Sequence, residues 1–308
     1  MLRLDRILLA SDFSASAEAA LLYAAVLARQ SQARLLVMHV IETSVAALPR
    51  WTDVFRSTEV FADMEAADRA IFERLMTHPA LQGLRVEMIV QHGNPSDRIT
   101  DMSARVNLVV MGTRGQDGVR GRAGGRVAHR VAHASASPVL FVPPGGGSAG
   151  LPAVGAKRLT LQRILLALNL AQYAPQAIEL SRALTADCQA TLLPLQVVDP
   201  DKISTYPIEP GQGMHHNIDG LKVLLEKRLV EVLPDAPEGP PLEYLVREGL
   251  PAEVILRQIE TSQAHLVVMS AHAYSALRKF FTLSTVDAIL APAPCLLLAV
   301  PFPRPVVG

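Results

Sequence analysis

Gly112, Gly115 and Gly125 punctuate a stretch that begins as an apolar strand, Asn107-Leu-Val-Val-Met111, and turns to helical periodicity after Arg126. A strand that runs into a glycine turn and then a helix start lets backbone N–H groups converge on an anion. Gly118, Gly121 and Gly124 lie within the same loop. The stretch also carries Arg105, Arg114, Arg120, Arg122, Arg126 and Arg130 against a single acid, Asp117, in a chain whose formal charge is zero. Glycine and guanidinium together point to a phosphate-bearing ligand. Arg114 and Arg126, nearest the turn and the helix start, are the best candidates to meet it.

The rest of the composition narrows the class. With 308 residues, half of them apolar, the chain has material for two ordinary cores. Lys and Arg balance Asp and Glu, so no global basic surface suggests nucleic-acid binding. Two cysteines, Cys188 and Cys295, are too few for a disulfide scaffold, and a reducing cytoplasm is the expectation. The start, Met-Leu-Arg-Leu-Asp-Arg, has charges where a signal peptide would need an apolar core. No apolar run approaches the roughly 20 residues that span a bilayer, so neither membrane nor nucleic acid is expected as a partner.

The elements that must position the glycine turn occur twice. Ile7-Leu-Leu-Ala-Ser-Asp12 parallels Ile164-Leu-Leu-Ala-Leu-Asn169, and Arg34-Leu-Leu-Val-Met-His39 parallels Thr191-Leu-Leu-Pro-Leu-Gln196. His92-Gly93-Asn-Pro95 matches Glu248-Gly249-Leu-Pro251, Leu108–Met111 matches Leu266–Met269, and Ser137-Pro138 matches Ala293-Pro294. Matching blocks in one order at nearly the same separation indicate an internal duplication. Domains are expected over 1–143 and 161–308, joined by an irregular Pro, Gly and Ser-rich linker over 144–160.

Within each half, Val, Ile and Leu-rich runs alternate with helical patterns, the mark of βαβ units and a parallel sheet covered on both faces. Strands are expected near 6–10, 33–40, 84–91, 107–111 and 138–142, and again near 163–168, 190–197, 242–247, 265–269 and 294–300. Helices are expected near 15–31, 59–78, 95–105 and 125–135, with Ser14 and Asn94 as N-caps. Such α/β units are doubly wound, Rossmann-like five-stranded layers, and they bind ligands beyond the carboxyl ends of the strands. Asp12, Val40 and Gly112 stand at those ends.

At this point the chain resembles the universal stress protein family in its tandem form, over nearly the whole length. The family's nucleotide-binding variants carry glycine, two residues, glycine, nine residues, then glycine with Ser or Thr. Gly112, Gly115 and Gly125 keep that spacing, with Arg126 where the hydroxyl is usual. The resemblance implies an adenine nucleotide alpha hydrolase-like fold with ATP or ADP, with or without magnesium, as cofactor. It places the adenosine against Ala10, Ser11, Asp12 and Val40, and the phosphates over Met111, Gly112, Arg114 and Gly115, reaching Gly125, Arg126 and Val127. It further implies that the last strands of the two domains pair, within the chain or across a homodimer. The second half has Ser270-Ala-His-Ala273 and Leu283-Ser284 where the glycines belong, and Asn169 in place of the acid. One nucleotide site, in the first domain, is therefore expected.

Plainer readings stand beside these. The glycines could serve only their own turn, and Asp12 only as an N-cap to the first helix. His129 and His133, four apart on a helix, have the spacing for one metal, but no third ligand is near in sequence, so ordinary helix-face histidines are expected. His215 and His216 read as loop residues, His39 as packing, Cys295 as a small buried hydrophobe, and Trp51, Phe55 and Phe61 as a loop cover or helix packing. No nucleophile with an adjacent base emerges by motif, and no G-x-G-x-x-G follows the first strand. The functional expectation is an ATP-binding stress-response sensor or regulator acting on an unidentified protein partner. A non-binding adaptor of the same fold and a slow ATPase are the alternatives.

Overall fold

The structure, a computed structural model, describes residues 4–42, 70, 73–115, 125–170, 175–201, 218–234, 242–271 and 285–302. Most of the helix expected over 59–78 lies outside these residues. So do Trp51, Phe55, Phe61, Asp117, Arg120, Arg122, His215, His216, His272, Ala273, Leu283, Ser284 and the loop glycines between Gln116 and Gly124.

The first domain supplies β1 (Arg6–Ala10), β2 (Arg34–Ile41), β3 (Arg85–His92), β4 (Leu108–Gly112) and β5 (Val139–Val142), with α1 (Ala15–Ser31), α2 (Pro95–Ser103) and α3 (Arg126–Ala134). The second supplies β6 (Arg163–Leu168), β7 (Thr191–Val198), β8 (Leu245–Glu248), β9 (Leu266–Ala271) and β10 (Leu296–Pro301), with α4 (Pro175–Cys188), α5 (Ile218–Val232), α6 (Pro251–Ser262) and α7 (Thr285–Leu290). Each strand lies within about three residues of its sequence expectation. The caps are as expected too: Ser14 accepts from the Ala17 N–H, and Asn94 accepts from the Ser96 and Asp97 N–H groups ahead of Pro95.

All ten strands form one sheet in the order β3-β2-β1-β4-β5-β10-β9-β6-β7-β8. Every pairing is parallel except β5 with β10, where Val139, Leu140 and Phe141 face Ala299, Leu298 and Leu297. The two last strands thus pair within the chain, and each covers an apolar edge that would otherwise invite aggregation. The order is a palindrome in element type, which gives the molecule a pseudo-twofold axis at that seam.

The cores do not stop at the seam. One apolar cluster on one face runs from Ile7, Leu9, Leu35 and Leu140 to Leu296, Leu298, Ile164 and Leu192, and the other face carries a second from Leu8, Met38 and Phe141 to Leu297, Val267 and Leu195. The alternation of strand side chains puts both clusters on one sheet. Helix α1 is buried nearly all round, because the linker crosses its outer side: Tyr23 Oη donates to the Gly150 carbonyl, and Arg29 Nη1 to the Ala156 carbonyl at 3.0 Å. Residues 144–160 are irregular but pinned, with Ser148 N–H donating to the Pro294 carbonyl at 3.0 Å and Leu159 N–H to Gln30 Oε1 at 2.9 Å. Both cysteines are unpaired. Cys295 is the buried hydrophobe expected, and burial pushes its thiol up to about 12. Among the described residues no helix is long and apolar enough to cross a membrane.

Phe141 lies in the central strand pair and is fully buried. Phe141→Ala is expected to cost about 3–5 kcal/mol and to unfold both domains in one transition, read by urea denaturation followed by circular dichroism.

Candidate functional site

Ala10, Met38 and Met111 are register partners at the carboxyl ends of the adjacent strands β2, β1 and β4. Because β2 and β4 flank β1, the chain reverses its direction of winding there, which opens a crevice beyond the strand ends. Ala10 and Met111 point into the core, and Val40 and Val127 pack against the same apolar cluster from half-buried positions. Ser11 is buried and donates its N–H to the Met38 carbonyl at 2.9 Å.

The β1–α1 connection is held by side chains rather than by glycine. Phe13 has φ of 61°, the left-handed region that non-glycine residues seldom enter. Its ring lies against His39 with centroids 4.4 Å apart, and His39 Nδ1 bonds the Ser11 carbonyl at 2.8 Å. This reversal brings Asp12 back toward the β4 turn: Asp12 Oδ1 accepts from the Ser14 N–H at 3.1 Å, and Ser14 Oγ donates to the Arg114 carbonyl at 3.3 Å. Asp12 caps the turn before α1 while also facing Gly115.

The glycines divide by cause. A Cβ at Gly112 would meet Ser16 Cβ and Oγ at 2.8 Å and its backbone carbon at 2.9 Å, so this glycine serves the packing of α1 on β4. A Cβ at Gly115 would lie 2.8 Å from Asp12 Oδ2, and no other group among the described residues comes as near, so this glycine lets the β4 turn approach the carboxylate closely. At Gly125 the nearest atom to an added Cβ is the Thr113 carbonyl at 3.5 Å, an ordinary contact. Gly125 N–H donates to that carbonyl at 3.1 Å, tying the start of α3 to the end of β4. Gly125 makes no side-chain capping bond, and α3 begins directly at Arg126.

Arg114, Gly115 and Arg126 are exposed around this turn. Of the four described arginines of this stretch, two stand away from the turn. Arg105 precedes β4, at the opposite end of the strand, and Arg130 reaches α2, where Nη1 donates to Ser96 Oγ at 3.3 Å. Arg114 and Arg126 alone, among the described arginines, flank the turn. Thr113 was missed: it is 1% exposed, and its Oγ1 has no hydrogen-bond partner among the described residues. A hydroxyl between two glycines carries no sequence signal of burial.

The equivalent end of the second domain is built differently. β2 ends half-exposed over His39, Val40 and Ile41, whereas β7 is buried through Gln196, Val197 and Val198. Leu170, which replaces Phe13, packs with Val198, Leu221, Leu225 and Val246 in a small apolar cluster. Gln196, which replaces His39, is 2% exposed and accepts the Leu170 N–H at 2.8 Å. Ser270 and Ala271 occupy the places of Gly112 and Thr113, and Ala271 is core.

His129 and His133 are not solvent-face histidines. Their Nδ1 and Nε2 atoms lie 2.7 and 2.9 Å from one oxygen, Oδ1 of Asp287, on α7 of the other domain. The third group that the sequence lacked nearby comes from more than 150 residues away. No cluster among the described residues is arranged to hold a metal ion.

A tandem pair of doubly wound domains joined through their last strands defines a Rossmann-like class of α/β protein. Comparison with known proteins narrows this. The model of the universal stress protein family matches residues 3–143 and again 160–301. The chain belongs to the universal stress protein family. Universal stress protein YxiE of Bacillus subtilis is 30% identical over 145 residues, 45% of this chain and 98% of YxiE. A universal stress protein from Archaeoglobus fulgidus superimposes over 96% of this chain and 98% of its own with a TM-score of 0.66 at 18% identity. PA1789 of Pseudomonas aeruginosa, described as functionally unknown, superimposes over 97% and 92% with a TM-score of 0.60 at 13% identity. These structures share the fold of the whole tandem chain.

Gly112→Ala is expected to destabilise the protein by about 1–3 kcal/mol whether or not a ligand is present, because Ser16 and its backbone must shift. Gly125→Ala is expected to leave the denaturation midpoint within experimental error of the parent.

Proposed function

We propose that the first domain binds one adenine nucleotide, ATP or ADP with or without magnesium, and that the protein works as a stress-response sensor or regulator. Ala10, Ser11, Asp12 and Val40 would hold the adenosine. Met111, Gly112, Arg114 and Gly115 would hold the phosphates together with Gly125, Arg126 and Val127. The observation that carries this reading is the turn itself, in which Gly115 faces the Asp12 carboxylate with no side chain between them and Arg114 and Arg126 are exposed beside it. Backbone amides at the start of α3 add partial positive charge there. The buried, unpartnered hydroxyl of Thr113 is a further polar group at the base of the turn.

The contrast between the domains supports a single site. The strand ends of the second domain are closed by Leu170, Val198, Leu221 and Leu225, and no glycine turn follows β9. With an arginine in place of the usual hydroxyl, phosphate would be met by a guanidinium fork at the helix start.

Catalysis is not the role we propose. Asp12 Oδ1 is taken up in accepting the Ser14 N–H at 3.1 Å, a capping role rather than a catalytic one. A nucleotide that stays bound reports on its own supply, and a protein partner would read that state. A cytoplasmic location suits both the ligand and the two unpaired cysteines. Because β5 and β10 are consumed within the chain, any homodimer would use another surface.

An adaptor reading has one observation in its favour, the exposure of Arg114 and Arg126, which would also dock an acidic partner. Calorimetry separates the two. After removal of endogenous nucleotide, the protein is expected to bind MgATP or MgADP, and Gly115→Val to abolish binding with the denaturation midpoint preserved. Absence of heat from the parent protein would leave the adaptor reading in place.

A further inference from the structure

Helix α3 is short, and its first turn is the part of the proposed site that meets phosphate. Gly125 lends it no side-chain cap, so its position depends on what its flanks touch. On one flank Arg130 reaches Ser96 of α2. On the other, His129 and His133 converge on Asp287, whose side chain is 5% exposed, and His133 is 6% exposed. A carboxylate at Asp287 accepts, and the tautomers that fit it carry a proton on His129 Nδ1 and on His133 Nε2. Hydrogen bonds to a charged acceptor are stronger than those between neutral groups.

The residue that makes this contact is also the one that closes the first turn: the His129 N–H donates to the Gly125 carbonyl at 3.2 Å. A pull on the imidazole is therefore a pull on the turn that begins at Gly125. Asp287 belongs to the domain whose own crevice is filled.

We propose that Asp287 is a positioning residue of the first domain's nucleotide site, supplied by the second domain through His129 and His133. The proposal rests on the nucleotide reading above. It gives the second domain a task beyond covering the β5 edge: Asp287 fixes the helix start against which phosphate is bound. Binding in one domain is thereby coupled to the seating of α7 in the other. The coupling is reciprocal, so nucleotide must also tighten the contact between the domains.

The test compares the full chain with Asp287→Asn and Asp287→Ala by MgATP calorimetry, and follows the His129 and His133 side-chain nitrogen resonances of the parent during the same titration. The alanine variant is expected to bind about tenfold more weakly or worse. Asparagine, which keeps the one oxygen that both imidazoles meet, is expected to recover most of that loss, and the His129 resonances to shift as nucleotide binds. Should Asp287→Ala fold poorly, His129→Gln takes its place and is expected to weaken binding in the same direction. Parent-like affinity in the alanine variant overturns the proposal. Weaker binding with unmoved imidazole resonances also overturns it, by reducing Asp287 to a general support of the fold. A parent protein that takes up no MgATP refutes the nucleotide reading itself and this inference with it.

Discussion

The antiparallel pairing of β5 with β10 is the constraint on which the rest of the molecule depends. Each domain alone would end in a short, wholly apolar edge strand, and such an edge is stable only when covered. Pairing the two edges merges two five-stranded layers into one sheet and lets both cores run through the seam. It also fixes the helices on either side of the axis, which is why α3 and α7 meet and why a carboxylate of one domain can reach imidazoles of the other.

That constraint gives the second domain a structural role that does not depend on any ligand. Its strands, core and edge remain necessary, while its strand ends do not. Leucine at 170, glutamine at 196 and alanine at 271 fill or close positions that in the first domain are held by Phe13, His39 and Thr113. The first domain shows the opposite economy: a left-handed Phe13, a buried hydroxyl without a partner and an exposed glycine turn are features that packing alone would remove. Sites are where local strain and unmet polar groups persist.

Much of this was legible in the sequence. The apolar runs gave strand positions to within a few residues, Ser14 and Asn94 announced their helices, the repeated blocks predicted the duplication, and the family resemblance implied the pairing of the last strands. The spacing of Gly112, Gly115 and Gly125 located the turn. What stayed hidden depends on long-range geometry. The different reasons for Gly112 and Gly115 lie in Ser16 and Asp12, on another element. The helical arginines look like one cluster in sequence because position along a chain does not say which end of a strand a residue occupies. The partner of His129 and His133 could not be found at all by spacing, since α7 supplies it from across the seam.

The central claim is an asymmetry: one domain retains a nucleotide crevice and its copy has filled it. Native mass spectrometry of the stripped protein, titrated with MgATP, measures this directly. The account predicts a single nucleotide adduct per chain that persists at saturating ligand and disappears in a variant blocked at the β4 turn. Two adducts per chain, or one that survives that block, would contradict it.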